Sequence, residues 1–108
     1  MPFLSCPYLG SQVALTDERM KHIVERHPDM LPRCYELIAG TLEDPDRVRR
    51  SLRCSDACLF ARWFDSLPGG KYVVVVVITE KAERTRHWIV TAYRTQNLTA
   101  GETEWTRN

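Results

Sequence analysis

The sequence predicts an α+β fold: two N-terminal helices packed on an antiparallel sheet of about four strands. Three observations predict it. Apolar residues recur every three to four positions between residues 16 and 42, the period of one helix face. After Pro45 the period drops to two, the alternation of a strand. Five consecutive valines, Val73 to Val77, then form a β-branched run that suits a strand covered on both faces. Helices followed by strands with short connections argue for a meander with the helices on one face.

The 108 residues fit one domain, residues 1–108. A composition of 44% hydrophobic and 27% charged residues is that of a globular chain and excludes a disordered or fibrous one. Residues 1–11 contain Pro2, Pro7 and Gly10 and read as an irregular lead-in, with a short strand possible at Gln12 to Leu15. Thr16 suits a helix N-cap, and Asp17 and Glu18 suit the positive end of the helix dipole. The first helix runs to about His27 and stops before Pro28. On a helical wheel Met20, Ile23, Val24 and His27 share one face, and His22 lies away from it, toward solvent.

The second helix spans Leu31 or Pro32 to about Leu42, with Cys34, Leu37, Ile38 and Thr41 inward. Four strands follow. Residues 46–53 alternate Val48 and Leu52 with Arg47, Arg49 and Arg53, a basic edge strand. Ala57 to Phe64 sets Arg62 on the face of Cys58, Phe60 and Phe64. A Pro68-Gly69-Gly70 turn leads to Lys71 to Thr79, the central strand. Arg86 to Thr95 closes the sheet, with Trp88, Val90 and Ala92 on one face and His87, Ile89, Thr91 and Tyr93 on the other. From Gln96 the chain reads as a polar tail.

Charge divides unevenly. Residues 1–45 hold four Lys/Arg against seven Asp/Glu, and residues 46–108 hold eleven against seven. The basic excess lies in the strand half, where it can meet phosphates or simply solvate strand faces. The longest apolar run, Tyr72 to Ile78, is too short to span a membrane, and the N-terminus lacks a secretory signal pattern, so a cytoplasmic protein without membrane partners is expected. The spacing Cys54-x-x-x-Cys58 is unlike a zinc knuckle, and Cys6, Cys34, Cys54 and Cys58 read as reduced thiols. No metal site and no cofactor are expected.

Common enzyme signatures are absent: there is no Gly-rich phosphate loop, no Gly-x-Ser-x-Gly elbow and no His-Glu-x-x-His helix. The string with chemical content is His22-Ile23-Val24-Glu25-Arg26-His27-Pro28. Histidine titrates near neutrality and can take or give a proton. Arginine binds phosphate with two parallel hydrogen bonds. A histidine, an arginine and a hydroxyl around one phosphate suffice for RNA cleavage without metal. Each residue also has a plain structural reading: His27 as a core or capping histidine, Arg26 as an ion-pair partner, Thr91 and Tyr93 as ordinary strand residues.

Leu15-Thr16, His22-Ile23-x-x-Arg26-His27-Pro28, the Asp44-Pro45-Asp46 step before Val48, the valine run and Val90-Thr91-Ala92-Tyr93 occur in an order that resembles a family of small phage-associated domains. These belong to the barnase/EndoU/colicin/RelE-like nuclease class. The resemblance covers roughly residues 13–95. It implies metal-independent cleavage of RNA by a toxin-like or phage-derived effector, with RNA as partner and an antitoxin or immunity protein as a further possible one. It assigns catalytic positions to His22, Arg26, His27, Thr91 and Tyr93. Lys71, Arg47, Arg49 and Arg62 are the expected substrate-binding residues, and Arg53 a further guide for the RNA backbone. Two other readings stay open: a non-catalytic binding or regulatory module of the same fold, and a domain stabilised by metal at Cys54, Cys58 and a histidine.

Overall fold

The structure, a computed structural model, describes residues 3–107. In chain order it contains β1 (Phe3–Cys6), β2 (Ser11–Ala14), α1 (Asp17–Arg26), α2 (Cys34–Glu43), β3 (Arg47–Arg50), β4 (Ala57–Phe64), β5 (Lys71–Glu80), β6 (Arg86–Thr95) and β7 (Glu102–Thr106), with short 3₁₀ turns at Pro7–Leu9 and Pro28–Met30. The strands form one sheet of seven, in the order β1-β2-β6-β5-β4-β3-β7.

This corrects the fold expected from sequence. The sheet has seven strands rather than about four, it is mixed rather than antiparallel, and two strands precede the helices. Strands β3 to β6 form an antiparallel meander. The additions lie outside it. The lead-in folds into the β1–β2 hairpin, turned at Gly10 in the left-handed region with φ of 64°. Strand β2 meets β6 in parallel at Ala14↔Trp88. The supposed polar tail pairs with β3 as β7. Strand β2 falls within one residue of the short strand expected at Gln12 to Leu15, whereas β1 and β7 escaped because each is only four or five residues long, and β7 is exposed along its length, so no alternating pattern marks it.

The sheet has two unequal faces. On one, Val48, Phe60, Val73, Val75, Val77, Ile89 and Ala92 pack with Ile23 of α1 and with Leu37, Ile38 and Leu42 of α2. On the other, Leu59, Ala61 and Val74 form a small cluster with Tyr72, Val76, Tyr93 and Leu98. The valine run supplies both faces, which is why it is apolar throughout. Phe60 and Val75 face each other across β4 and β5 with no exposed surface.

Helix α1 begins as its sequence dictates: the Thr16 hydroxyl accepts from the Arg19 amide at 3.1 Å. Pro28 cannot continue the helix, and His27 leaves helical geometry as the C-cap, with φ of −132° and ψ of 68°. Among the described residues no helix is long and apolar enough to cross a membrane.

Candidate active site

Strand β6 pairs with β2 only at Ala14↔Trp88 among the described residues. Beyond that point its outer edge is free of strand pairing, and α1 packs there. A β-bulge shapes this edge. Val76 lies opposite Thr91 and Val77 opposite Ile89, so Val90 is an extra residue in β6.

The bulge resets the alternation. Ile89 and Ala92 both enter the helix-side core, although they are three residues apart. Thr91, opposite Val76, and Tyr93, opposite Val74, fall to the other face. The expected sharing of one face by Ile89, Thr91 and Tyr93 is therefore corrected: an inserted residue inverts parity, and a strict period of two cannot register it.

An open cleft of about 510 Å³ lies between α1 and this edge, lined by Arg19, His22, Arg26, His27, Val90, Thr91 and Tyr93. The five expected catalytic positions come together here. The wheel that set His22 apart from His27 is corrected too. Arg19, His22 and Arg26 follow one another at spacings of three and four along α1 and share a side. His27 lies past the helix end, where helical spacing no longer predicts direction. Both histidines are half-buried, and the two arginines are exposed.

His27 is held from several sides. Its amide donates to the Ile23 carbonyl at 2.7 Å, and its carbonyl accepts from the Met30 amide at 3.0 Å. Its ring lies 5.9 Å from that of Tyr93, tilted by 39°. Two residues on, Asp29 accepts from the Arg94 guanidinium at 3.0 Å, which ties the turn after α1 to β6. Burial pushes the Tyr93 phenol above its ordinary range, opposed by the charge of Arg49. Tyr93 is therefore a neutral hydroxyl at physiological pH, able to donate a hydrogen bond.

The expected substrate-binding residues lie elsewhere. Lys71 Nζ donates to the carbonyls of Pro68 at 3.2 Å and Gly70 at 3.4 Å, bracing the turn before β5. Arg62 donates to the Gly40 carbonyl at 3.1 Å and lies 5.2 Å over the Phe64 ring on the helix side. Arg49 donates to Ala100 O at 2.7 Å, Gly101 O at 2.8 Å and Thr103 Oγ1 at 2.7 Å. Arg47 is exposed on β3, opposite Ala61 and Thr106, and Arg53 is exposed in the following loop. None of the five lines the α1–β6 cleft.

Arg19 does line it and was not anticipated. Its signal was available: it stands three residues before His22 and seven before Arg26, one consistent helix face. No set of three or more His, Cys, Asp or Glu side chains is placed to hold a metal ion among the described residues. Cys6, Cys34 and Cys58 are buried free thiols, and Cys54 is an exposed one.

A family model described as phage-Barnase-EndoU-ColicinE5/D-RelE like nuclease2 matches residues 4–106. No curated protein and no solved structure matches the chain.

Proposed function

The chain belongs to this nuclease family, and we propose that the α1–β6 cleft cleaves RNA by attack of a 2′-hydroxyl on the adjacent phosphate, without a metal ion. The observation that carries the reading is the convergence of two histidines, two arginines, Thr91 and Tyr93 in one cleft.

Such a reaction needs a base for the 2′-hydroxyl, an acid for the departing 5′-oxygen and positive charge on the phosphorane. His27 and His22 supply the two proton-transfer groups, with His27, the more firmly seated, as general base. Arg26 and Arg19 face the phosphate oxygens and balance the charge that builds on them. Tyr93, kept neutral by burial, donates to a developing oxyanion, and Thr91 orients the ribose. The donor set favours this over a cation-assisted route: a divalent cation wants oxygen ligands, and the described residues lining the cleft include no carboxylate. A toxin-like role, and a partner protein that blocks the cleft until needed, are compatible extensions of the same reading.

Cleavage of labelled RNA by the parent, His27→Ala and His22→Ala tests it, with circular dichroism to confirm that each variant folds. Removing the general base lowers the rate about 10²–10⁴-fold. Equal cleavage by His27→Ala and the parent would assign the activity to another site. No cleavage of any RNA by the folded parent would leave a non-catalytic binding module as the better reading.

A further inference from the structure

The turn after α1 is fastened at two points. Met30, which ends the turn Pro28–Met30, is buried in the helix-side core. Asp29, one residue earlier, reaches β6, where Arg94 Nε donates to Asp29 Oδ2 at 3.0 Å. Arg94 lies opposite Val73, which belongs to the helix-side core, so it stands on the face that carries the helices. The two side chains keep 21% and 47% of their surface exposed, Arg94 and Asp29 respectively. A pair this open to water adds little to stability. Its effect is on direction.

His27 has left helical geometry, and Pro28 after it has no N–H with which to continue the ladder. The His27 backbone is tied to α1 through the Ile23 carbonyl and to the turn through the Met30 amide. Its ring, the part that would move protons, has the Tyr93 ring as neighbour at 5.9 Å. Tyr93 and Arg94 are consecutive in β6. One short piece of strand therefore sits against the His27 ring and also grips the turn that carries it. The link between Asp29 and Arg94 closes a small loop, residues 27 to 29 on one side and 93 to 94 on the other. The other route from His27 to Tyr93 runs through the packing of a whole helix on the sheet. The shorter loop fixes the ring more tightly.

We propose that Asp29 and Arg94 are positioning residues: their bond holds the turn after α1 to β6 and so keeps the His27 ring in place against Tyr93 and Thr91. The inference rests on the cleft reading for its catalytic consequence, and on the Asp29–Arg94 bond for its structural one. Neither residue lines the cleft. With the bond broken, Met30 still anchors the turn, which pivots there and carries His27 with it. A catalytic group misplaced by about 1 Å can cost about 10²-fold in rate. Substrate binding, which neither residue contacts, stays as it was.

The test takes Asp29→Ala, Arg94→Ala, the double variant and Asp29→Asn through two measurements on the whole protein. One is cleavage of a labelled oligoribonucleotide. The other, independent of activity, is the nuclear Overhauser contact between the His27 and Tyr93 rings, which is easily assigned with three histidines in the chain. Each alanine variant should weaken that contact and lower kcat about 10- to 100-fold with KM unchanged. Because both remove the same bond, the double variant should be no slower than either single one. Asp29→Asn keeps an oxygen that accepts from Arg94 and should recover most of kcat and the contact. The tether is overturned by a parent-like contact in both alanine variants, by additive losses in the double variant, by a raised KM in Arg94→Ala alone, or by Asp29→Asn as slow as Asp29→Ala. Should Asp29→Ala fail to fold, Arg94→Ala decides; if neither folds, the pair is structural and the proposal falls. A weakened contact with no cleavage of any RNA by the parent sinks the nuclease reading and leaves the tether standing. A weakened contact with unchanged kcat removes His27 from the reaction and also leaves the tether standing. An intact contact with undiminished cleavage does the reverse.

Discussion

Arginines on α1 and on β3 are equally conspicuous in the sequence and are used in opposite ways. On β3, Arg49 is saturated by three acceptors in and before β7. Arg50 donates to both carboxylate oxygens of Glu104, at 2.9 and 3.1 Å, and to the Ser55 carbonyl at 2.9 Å. Tyr8 completes the knot with a 2.7 Å bond to Glu104 Oε2, so the β1–β2 connection, β3 and β7 are tied at one carboxylate. On α1, Arg19 and Arg26 are exposed and point into a cleft with two histidines. The difference shows that a basic strand signals phosphate binding only when its guanidinium groups lack acceptors within the fold. Arg49 and Arg50 hold a strand that has almost no buried surface of its own, and in the proposed function the α1 arginines meet the ligand.

Substitutions of the two kinds of arginine should have opposite effects. Arg26→Ala should cost activity, about 10²–10³-fold in RNA cleavage for one lost charge-stabilising group. Its melting temperature should stay close to the parent's, because an exposed helix arginine contributes little to stability. Arg50→Ala should do the opposite. It strands Glu104 beside Tyr8 and removes three bonds, a loss of about 1–2 kcal/mol for a partly exposed group. Each kcal/mol lowers Tm by roughly 4–8 °C in a domain of this size. A calorimetric scan beside an RNA cleavage assay separates the two cases. Arg50→Ala with an unchanged Tm, or Arg26→Ala with full activity, would collapse the distinction.

A smaller effect concerns pH. Hydrogen bonding from Arg50 holds the Glu104 carboxyl below its usual range. The stability from this group is therefore present above its unfolded value of 4.5 and is lost as pH falls through the depressed folded value. Tyr8 is pushed up to about 12, first by burial and then by its bond to Glu104. Its contribution is present below the unfolded value of 10.0 and disappears as pH rises toward 12. Hydrogen exchange at the β7 amides should accelerate at both extremes relative to β5, beyond the intrinsic pH dependence of exchange. In Glu104→Gln that difference should flatten. Uniform behaviour of β5 and β7 would argue against the knot.

Much of the meander was legible because local pattern and tertiary environment agree there. Val73 to Val77 is apolar on both faces and is covered on both. Thr16 and Pro28 bound α1 through interactions local to the chain. The two edge strands, β1 and β7, were not legible, because their pairing is decided at a distance. Residues 102–106 become a strand through Arg49, Arg50 and the β3 edge rather than through alternation. The string His22 to His27 pointed to residues that line the cleft, while the cleft's geometry depends on two departures from regular structure. The helix ends one residue before His27, and Val90 is a bulge. Ideal periods misplaced His27 relative to His22, and Tyr93 relative to Ile89, for that reason. The Asp29–Arg94 pair was hidden since nothing in the sequence states that these two residues meet.

In the proposed reaction the α1–β6 cleft makes a 2′-hydroxyl attack its neighbouring phosphate without help from a metal ion. The most direct measurement is cleavage of an end-labelled RNA in excess chelator, beside the same RNA with a single 2′-deoxy substitution at the scissile nucleotide, with product ends identified by mass. Chelator should leave the rate unchanged, the normal RNA should yield a cyclic phosphate end, and the deoxy-substituted RNA should stay intact at that position. Cleavage of the deoxy-substituted RNA at the same position and rate, or loss of activity in chelator that returns with added divalent cation, would contradict it.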